Sequence, residues 1–163
     1  MAIVVYTFIM GGFKMEKFSF LTFKNYMNKS PLSACEEDYL EMIYRLGAKN
    51  IRLSDLANAL SVSNASTSKM VKKLKMKGYL KHDRYQKASL TTTGIEIAQF
   101  LYKRHQIIET FFELLKDTND LVEKVEKIEH TLSLSTLEKI EQLINFFNTN
   151  PDIKILFNTF LVN

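Results

Sequence analysis

Cysteine is nearly absent from this chain. Cys35 stands alone among 163 residues, which excludes an internal disulfide framework and a cysteine-rich zinc site and suits a reducing cytosol. Long apolar runs are missing as well. The opening MAIVVYTFIMGG is about half the length of a bilayer-spanning helix, and no positive residue precedes it. Neither a transmembrane span nor a secretion signal is expected. There is no glycine-rich phosphate loop, and no serine or cysteine nucleophile has a base at motif spacing. The Glu-x-x-His of a di-iron bundle fails because Lys127 stands three before His130. The inverted zinc-protease motif H-x-x-E-H fails because Glu126 occupies its first histidine position. An enzyme is therefore not expected. Internal repeats and low-complexity tracts are also lacking.

What remains is an ordinary globular balance, 46% apolar and 25% charged, enough for one compact domain or two small lobes sharing a core. Residues 1–30 fit poorly with the rest. They carry Phe13, Phe18, Phe20, Phe23 and Tyr26 without a sustained period, so they are expected as an extension: a functional arm, or the result of a start set ahead of Met15 or Met27.

The net charge of +4 means little until it is divided. From Lys49 to Leu90 the bases are Lys49, Arg52, Lys69, Lys72, Lys73, Lys75, Lys77, Lys81, Arg84 and Lys87, against Asp55 and Asp83; phosphate contact is implied there. From His105 to Asn150 the balance reverses, with acidic residues from Glu109 to Glu141 outnumbering Lys116, Lys124, Lys127 and Lys139. Two lobes of opposite chemistry follow.

Local signals divide the chain further. Ser33-Ala-Cys-Glu36 forms a capping box that opens a helix running to about Leu46. A short helix is expected from Ser54, then a turn, then a helix capped by Ser63 and closed by Gly78. Two short helices across a tight turn make a helix-turn-helix. Tyr79-Leu80 and Ser89-Leu90-Thr91 flank a polar middle and predict a hairpin, the wing of a winged helix. Thr92 or Thr93 then caps a long helix with Ile95, Ala98, Leu101, Tyr102, His105, Ile108 and Phe112 roughly on one stripe. Further helices are expected over Asp120 to Thr131 and from a Ser135-Thr-Leu-Glu138 box to about Phe147, with Asn148 to Pro151 breaking the pattern before a short apolar tail.

The second helix of a helix-turn-helix enters the major groove with its N-terminal residues at the base edges. With Met70, Val71 and Leu74 turned to the core, Ser63, Asn64, Ser66, Lys69, Lys72 and Lys73 face outward. Short polar groups suit bases and lysines suit phosphates. The wing adds His82, Arg84, Gln86 and Lys87. A lysine-rich face alone is as readily a solvated one, but helix, turn, basic helix and basic hairpin in this order favour nucleic acid, with duplex DNA preferred.

In Val125-Glu-Lys-Ile-Glu-His-Thr-Leu-Ser133, helical spacing puts Glu126, Glu129 and His130 on one face. One histidine near two glutamates is commonly surface electrostatics. Asp38 and Glu41 again lie three apart, however, and His105 sits on an apolar stripe; a core histidine is the plain reading there. Together these six groups offer four carboxylates and two imidazoles without sulfur, a set suited to Mn²⁺ or Fe²⁺. Two divalent ions would cancel its charge.

With these motifs in order, the chain resembles the diphtheria toxin repressor family of metal-dependent transcription regulators, and most closely its manganese transport regulator branch. The resemblance rests on E-D-Y-L-E-M-I-Y, L-S-D-L-A-N-A-L-S-V-S with S-K-M-V-K-K-L, L-T-T-T-G, Y-K-R-H and V-E-K-I-E-H-T-L-S. It implies a mainly α fold: a winged helix-turn-helix over 31–93, an all-helical metal-binding and dimerisation domain over 94–150 and a tail over 151–163. It implies that Asp38, Glu41, His105, Glu126, Glu129 and His130 hold two Mn²⁺ per subunit, with Fe²⁺ the other candidate. The iron-sensing branch has sulfur ligands where this chain has Asp38 and Glu126. The sixteen residues after Phe147 cannot hold the SH3-like domain of longer members. Glu109 falls at an ancillary site of some members, and Cys35 is expected as a small packing residue. The implied function is a cytoplasmic homodimer on a palindromic operator, repressing manganese uptake genes, with no organic cofactor and no membrane. The rivals are an iron-responsive repressor of the same family, a winged-helix regulator of a small organic ligand, and a metal-storage or enzymatic helical protein.

Overall fold

The computed structural model describes residues 32–82 and 87–162. The expected extension over 1–30 and the wing-tip residues Arg84 and Gln86 lie outside the described residues, and for His82 only the backbone is described.

Helix α1 (Ala34–Arg45) starts where the capping box places it. The Ser33 amide donates to Glu36 Oε2 at 2.9 Å and the Glu36 amide to Ser33 Oγ at 3.4 Å, a reciprocal cap of about 1 kcal/mol. Tyr39, Leu40 and Ile43 form its buried apolar side. Strand β1 (Ile51–Arg52) follows; at two residues it is too short to carry an alternation, and the sequence did not announce it. Helix α2 (Leu53–Ala59) begins one residue before the expected Ser54, with Arg52 as an N-cap that makes no side-chain bond. The Ser63 hydroxyl accepts the Ser66 amide at 3.1 Å and opens α3 (Asn64–Met76). Gly78, at φ +81°, supplies the left-handed step that ends it.

Strands β2 (Leu80–His82) and β3 (Lys87–Leu90) form the hairpin, paired Leu80 to Leu90 and Lys81 to Ser89, and β1 adds along β3 to give the antiparallel order β1-β3-β2. Helix α4 (Thr92–Leu114) is capped by Thr91, not by Thr92 or Thr93. The Thr91 hydroxyl accepts the Gly94 amide at 3.0 Å and donates to the Gly78 carbonyl at 2.8 Å; one hydroxyl thus ties the end of α3 to the start of α4. Gly94 is required there, because a Cβ would lie 2.1 Å from the Tyr79 carbonyl oxygen.

Helix α5 (Leu121–Glu129) is short, and α6 (Leu134–Thr149) is capped by Ser133 instead of Ser135, its hydroxyl taking the Thr136 amide at 3.1 Å. The expected tail is helix α7 (Pro151–Val162). Pro151 breaks α6 but is well suited to the first turn of the next helix. Phe157 packs on Phe147 with ring centroids 4.8 Å apart. The apolar core is continuous: Leu40, Ile43, Leu56, Val71 and Leu74 of helices α1 to α3 join Ile97, Phe100, Leu101, Ile108, Val125 and Leu137 of helices α4 to α6. Helices α6 and α7 leave Phe146, Ile155, Leu156 and Phe160 outside, the last two 71% and 75% exposed.

Candidate metal centre

Three helices converge where the core ends. From α1 come Glu37, Asp38 and Glu41, from α4 come Arg104 and His105, and from α5 and its C-cap come Glu126, Glu129 and His130. The helical period explains the choice: Asp38 and Glu41 are one turn apart, as are Glu126 and Glu129, so each pair projects from one face. Two groups of donor atoms result, each drawn within 4.8 Å: Asp38, Glu126, Glu129 and His130 in one, Glu41, His105 and Glu129 in the other. All six residues singled out in the sequence lie in these groups, and Glu129 belongs to both.

The distances are those of a compact centre. His105 Nδ1 stands 2.9 Å from Glu129 Oε2, 3.8 Å from Glu41 and 3.9 Å from Glu126. His130 Nε2 lies 3.0 Å from Asp38 Oδ1 and 3.5 Å from Glu129 Oε1. Glu41, His105 and Glu129 are buried, whereas Glu126 is exposed. Burial pushes the Asp38 carboxyl above its ordinary range; His130 pulls it back and the carboxylates of Glu126, Glu129 and Glu37 push it further up. Burial likewise raises Glu41, opposed by Arg45 and reinforced by Glu129. Charge is thus confined at a cost.

Two residues that sequence reasoning left without a role complete the centre. Arg104 Nη1 meets Glu37 Oε2 at 2.9 Å, and Nη2 lies 3.7 Å from Glu129 Oε1 and 3.2 Å from His130 Nδ1. Arg104 and Glu37 are both buried. The arginine next to His105 inside Y-K-R-H was visible in the sequence, but nothing there paired it with Glu37. Among the described residues, five carboxylates, Glu37, Asp38, Glu41, Glu126 and Glu129, face only Arg104 and Arg45 as permanent cations here. With neutral imidazoles the excess is negative, and Asp38 Oδ1 is buried without a hydrogen-bond partner. A bare carboxylate oxygen beside an imidazole nitrogen fits a divalent cation, and the oxygen and nitrogen donors suit Mn²⁺ or Fe²⁺. Cys35 is exposed and in neither group; it is not the packing residue expected, because helix α1 turns it away from the core.

On α3, Ser63, Asn64, Ser66, Lys69, Lys72 and Lys73 are all exposed, while Thr67, Val71 and Leu74 are buried and Met70 is half-buried. Lys87 is half-buried at the base of the wing. Lys73 and Lys77 reach back to Glu36 Oε1 at 3.4 and 2.8 Å. Burial pushes the Glu36 carboxyl up, but hydrogen bonds from Lys77 and Ser33 outweigh it and hold the group at about 2. Beside this contact the hydroxyls of Tyr39 and Thr67 meet at 3.3 Å. Helix α1 therefore faces the acidic centre on one side and grips α3 on the other.

Comparison with known proteins adds three findings. Residues 31–88 match the iron dependent repressor N-terminal DNA binding domain, and residues 91–157 match the iron dependent repressor metal binding and dimerisation domain. The HTH-type transcriptional regulator MntR of Lysinibacillus sphaericus (strain C3-41) is 39% identical over 120 residues, 72% of this chain and 86% of that relative. Its namesake from Shouchella clausii (strain KSM-K16) is 38% identical over 117 residues, 70% of this chain and 82% of that one. Among solved structures, the manganese regulator SloR superposes with a TM-score of 0.61 at 32% identity, and the metal-dependent transcriptional regulator MtsR with 0.62 at 28%. Each match covers 68% of this chain and 54% of the solved one, so the chain spans about half the length of these structures. No helix of the described residues is long and apolar enough to cross a membrane.

Proposed function

Because the chain belongs to the iron-dependent repressor family, we propose that it is a manganese-responsive transcriptional repressor that binds duplex DNA as a homodimer. The observation that carries this reading is the convergence of six oxygen and nitrogen donor residues from three elements, α1, α4 and the C-terminal part of α5, beside a DNA-reading helix that α1 also holds. Asp38, Glu126, Glu129 and His130 would hold one Mn²⁺ and Glu41, His105 and Glu129 a second. When bound, the ions supply the positive charge that the five carboxylates lack.

The chain's own residues do the rest. Asp38 and Glu41 belong to the same helix as Glu36 and Tyr39, so anchoring α1 to α4 and α5 also sets the angle at which α3 is presented. In the dimer, two such α3 helices meet successive major grooves of a palindromic operator. Asn64 and Ser66 face base edges, and Lys69, Lys72 and Lys73, with Lys87 of the wing, face phosphates; Arg84 is assigned to phosphate contact from the sequence alone. DNA in return tightens metal binding by the same factor. Oxygen and nitrogen donors admit both metals. Manganese over iron is supported by the resemblance, in which the iron-sensing branch has sulfur ligands where this chain has Asp38 and Glu126, and by the relatives named MntR. The output is repression of manganese uptake genes in the cytoplasm when the metal is plentiful.

The test is operator affinity titrated with Mn²⁺, Fe²⁺ and Zn²⁺ and repeated on Glu126→Cys. Tight binding with Mn²⁺ and a shifted metal preference in the variant are expected; an affinity indifferent to every metal rejects the switch.

A further inference from the structure

Glu37 is buried beside the centre yet belongs to neither donor group. Its Oε2 atom receives two contacts, from Arg104 Nη1 at 2.9 Å and from His130 Nδ1 at 2.8 Å. The opposite ring nitrogen, Nε2, is the one that faces Asp38 and Glu129. We propose that Glu37, clamped by Arg104, is the residue that positions His130: it accepts the Nδ1 proton and so leaves the Nε2 lone pair aimed into the donor group. This rests on the metal-responsive reading above, because it assigns a role toward the same centre.

The ring nitrogens decide the assignment. A neutral imidazole carries one proton, so Nδ1 has two alternatives: donate to Glu37, or accept from Arg104 Nη2 at 3.2 Å. In the second case the Nδ1 lone pair would point at a carboxylate oxygen 2.8 Å away, which is repulsive. The proton would then sit on Nε2, which Asp38 Oδ1 faces at 3.0 Å outside hydrogen-bonding geometry, so neither a proton nor a lone pair there is aimed at that oxygen. Nδ1 and Glu37, by contrast, meet in hydrogen-bonding geometry. The geometry favours the proton on Nδ1. Any cation held by Nε2 imposes the same tautomer, and Glu37 is then its acceptor. Arg104 always donates, so its part is to hold the Glu37 carboxylate in place and to reach Glu129 Oε1 at 3.7 Å. A carboxylate behind a ligating imidazole fixes ring orientation and raises the ring's basicity, and its loss costs roughly 10–100-fold in metal affinity. Because Glu37 stands on α1 while His130 caps α5, the orienting bond also spans the two elements.

Glu37→Gln keeps the size and removes the charge. Mn²⁺ affinity is read from the electron paramagnetic resonance signal of free Mn²⁺, and folding from the thermal melt of the metal-free protein. The expected result is a wild type that binds and a folded variant weaker by about 10-fold or more. A second measurement needs no variant: nitrogen-15 spectra of the metal-free wild type, above the imidazole titration range, report which nitrogen of His130 is protonated, and Nδ1 is expected. Protonation on Nε2, or a variant that binds within about two-fold of wild type, overturns the role of Glu37 and leaves the repressor reading standing. A wild type that takes up no Mn²⁺ overturns both.

Discussion

Replacing Glu36 by glutamine tests the link between the acidic centre and the DNA-reading helix. The carboxyl is lowered from 4.5 to about 2, and each tenfold gain in acidity is worth about 1.4 kcal/mol, so the ionised group favours the folded state by about 3 kcal/mol. Glutamine keeps the capping role, since a Gln at this position still reaches back to the Ser33 amide. Lys73 is 51% exposed, so its pair is screened and weak. The loss expected at neutral pH is therefore about 2 kcal/mol, chiefly the Lys77 contact. The pH dependence has a definite sign. A depressed carboxyl stabilises fully above its unfolded value of 4.5 and ceases to do so as pH falls through about 2; of the full 3 kcal/mol, about 2 remains near pH 3.5. Urea unfolding of both proteins over this range should show a gap at neutral pH that narrows in acid. Equal stabilities at neutral pH, or a gap that does not change with acidity, would refute the ion pair as the tie between α1 and α3.

Three further outcomes are expected. Gly94→Ala drives a Cβ to 2.1 Å from the Tyr79 carbonyl, so α4 must shift from the hairpin at about 3 kcal/mol or more, visible as a lowered melting temperature; an unchanged melt would mean that the helix start gives freely. Lys69→Ala with Lys72→Ala should weaken duplex binding alike on every sequence and flatten the salt dependence by about one logarithmic unit per lysine in fluorescence anisotropy, whereas Asn64→Ala should relax discrimination instead. If the exposed apolar side chains Leu156 and Phe160 of α7 carry the contact between subunits, Leu156→Glu with Phe160→Glu turns dimer into monomer in sedimentation; persistence of the dimer would place the contact elsewhere in the dimerisation domain.

The legible parts of the fold were those written in local chemistry. The capping box at Ser33 and Glu36, the Ser63 cap and the Gly78 terminus all stand where the side chains placed them. The errors at Thr91 and Ser133 arose because several neighbouring hydroxyls qualify as caps, and tertiary contacts such as that between Thr91 and Gly78 choose among them. Helix α7 was missed because Pro151 signals both a stop and a start. In the centre, helical spacing paired Asp38 with Glu41 and grouped Glu126, Glu129 and His130, while His105 read as plainly as a core histidine; the structure brings all six together. The pairing of Arg104 with Glu37 was not legible, because a buried ion pair between residues 67 positions apart leaves no local pattern in either segment.

Helix α5 has one further consequence. It spans nine residues, is entered through Asp120 in a left-handed conformation without a side-chain cap, and buries only Val125 fully among its apolar residues. A segment this brief is marginal by itself, so its order leans on Val125 in the core and on the bonds that Glu129 and His130 make to α4 and α1. On the metal-responsive reading proposed above, any loosening of these bonds in the metal-free protein would draw on the strength of the chelate to rewind the segment, and the concentration at which the protein responds would lie above what a rigid cage of the same atoms would set. Sensitivity is adjustable here without touching a ligand: a better opening for α5 would make the sensor respond to scarcer metal.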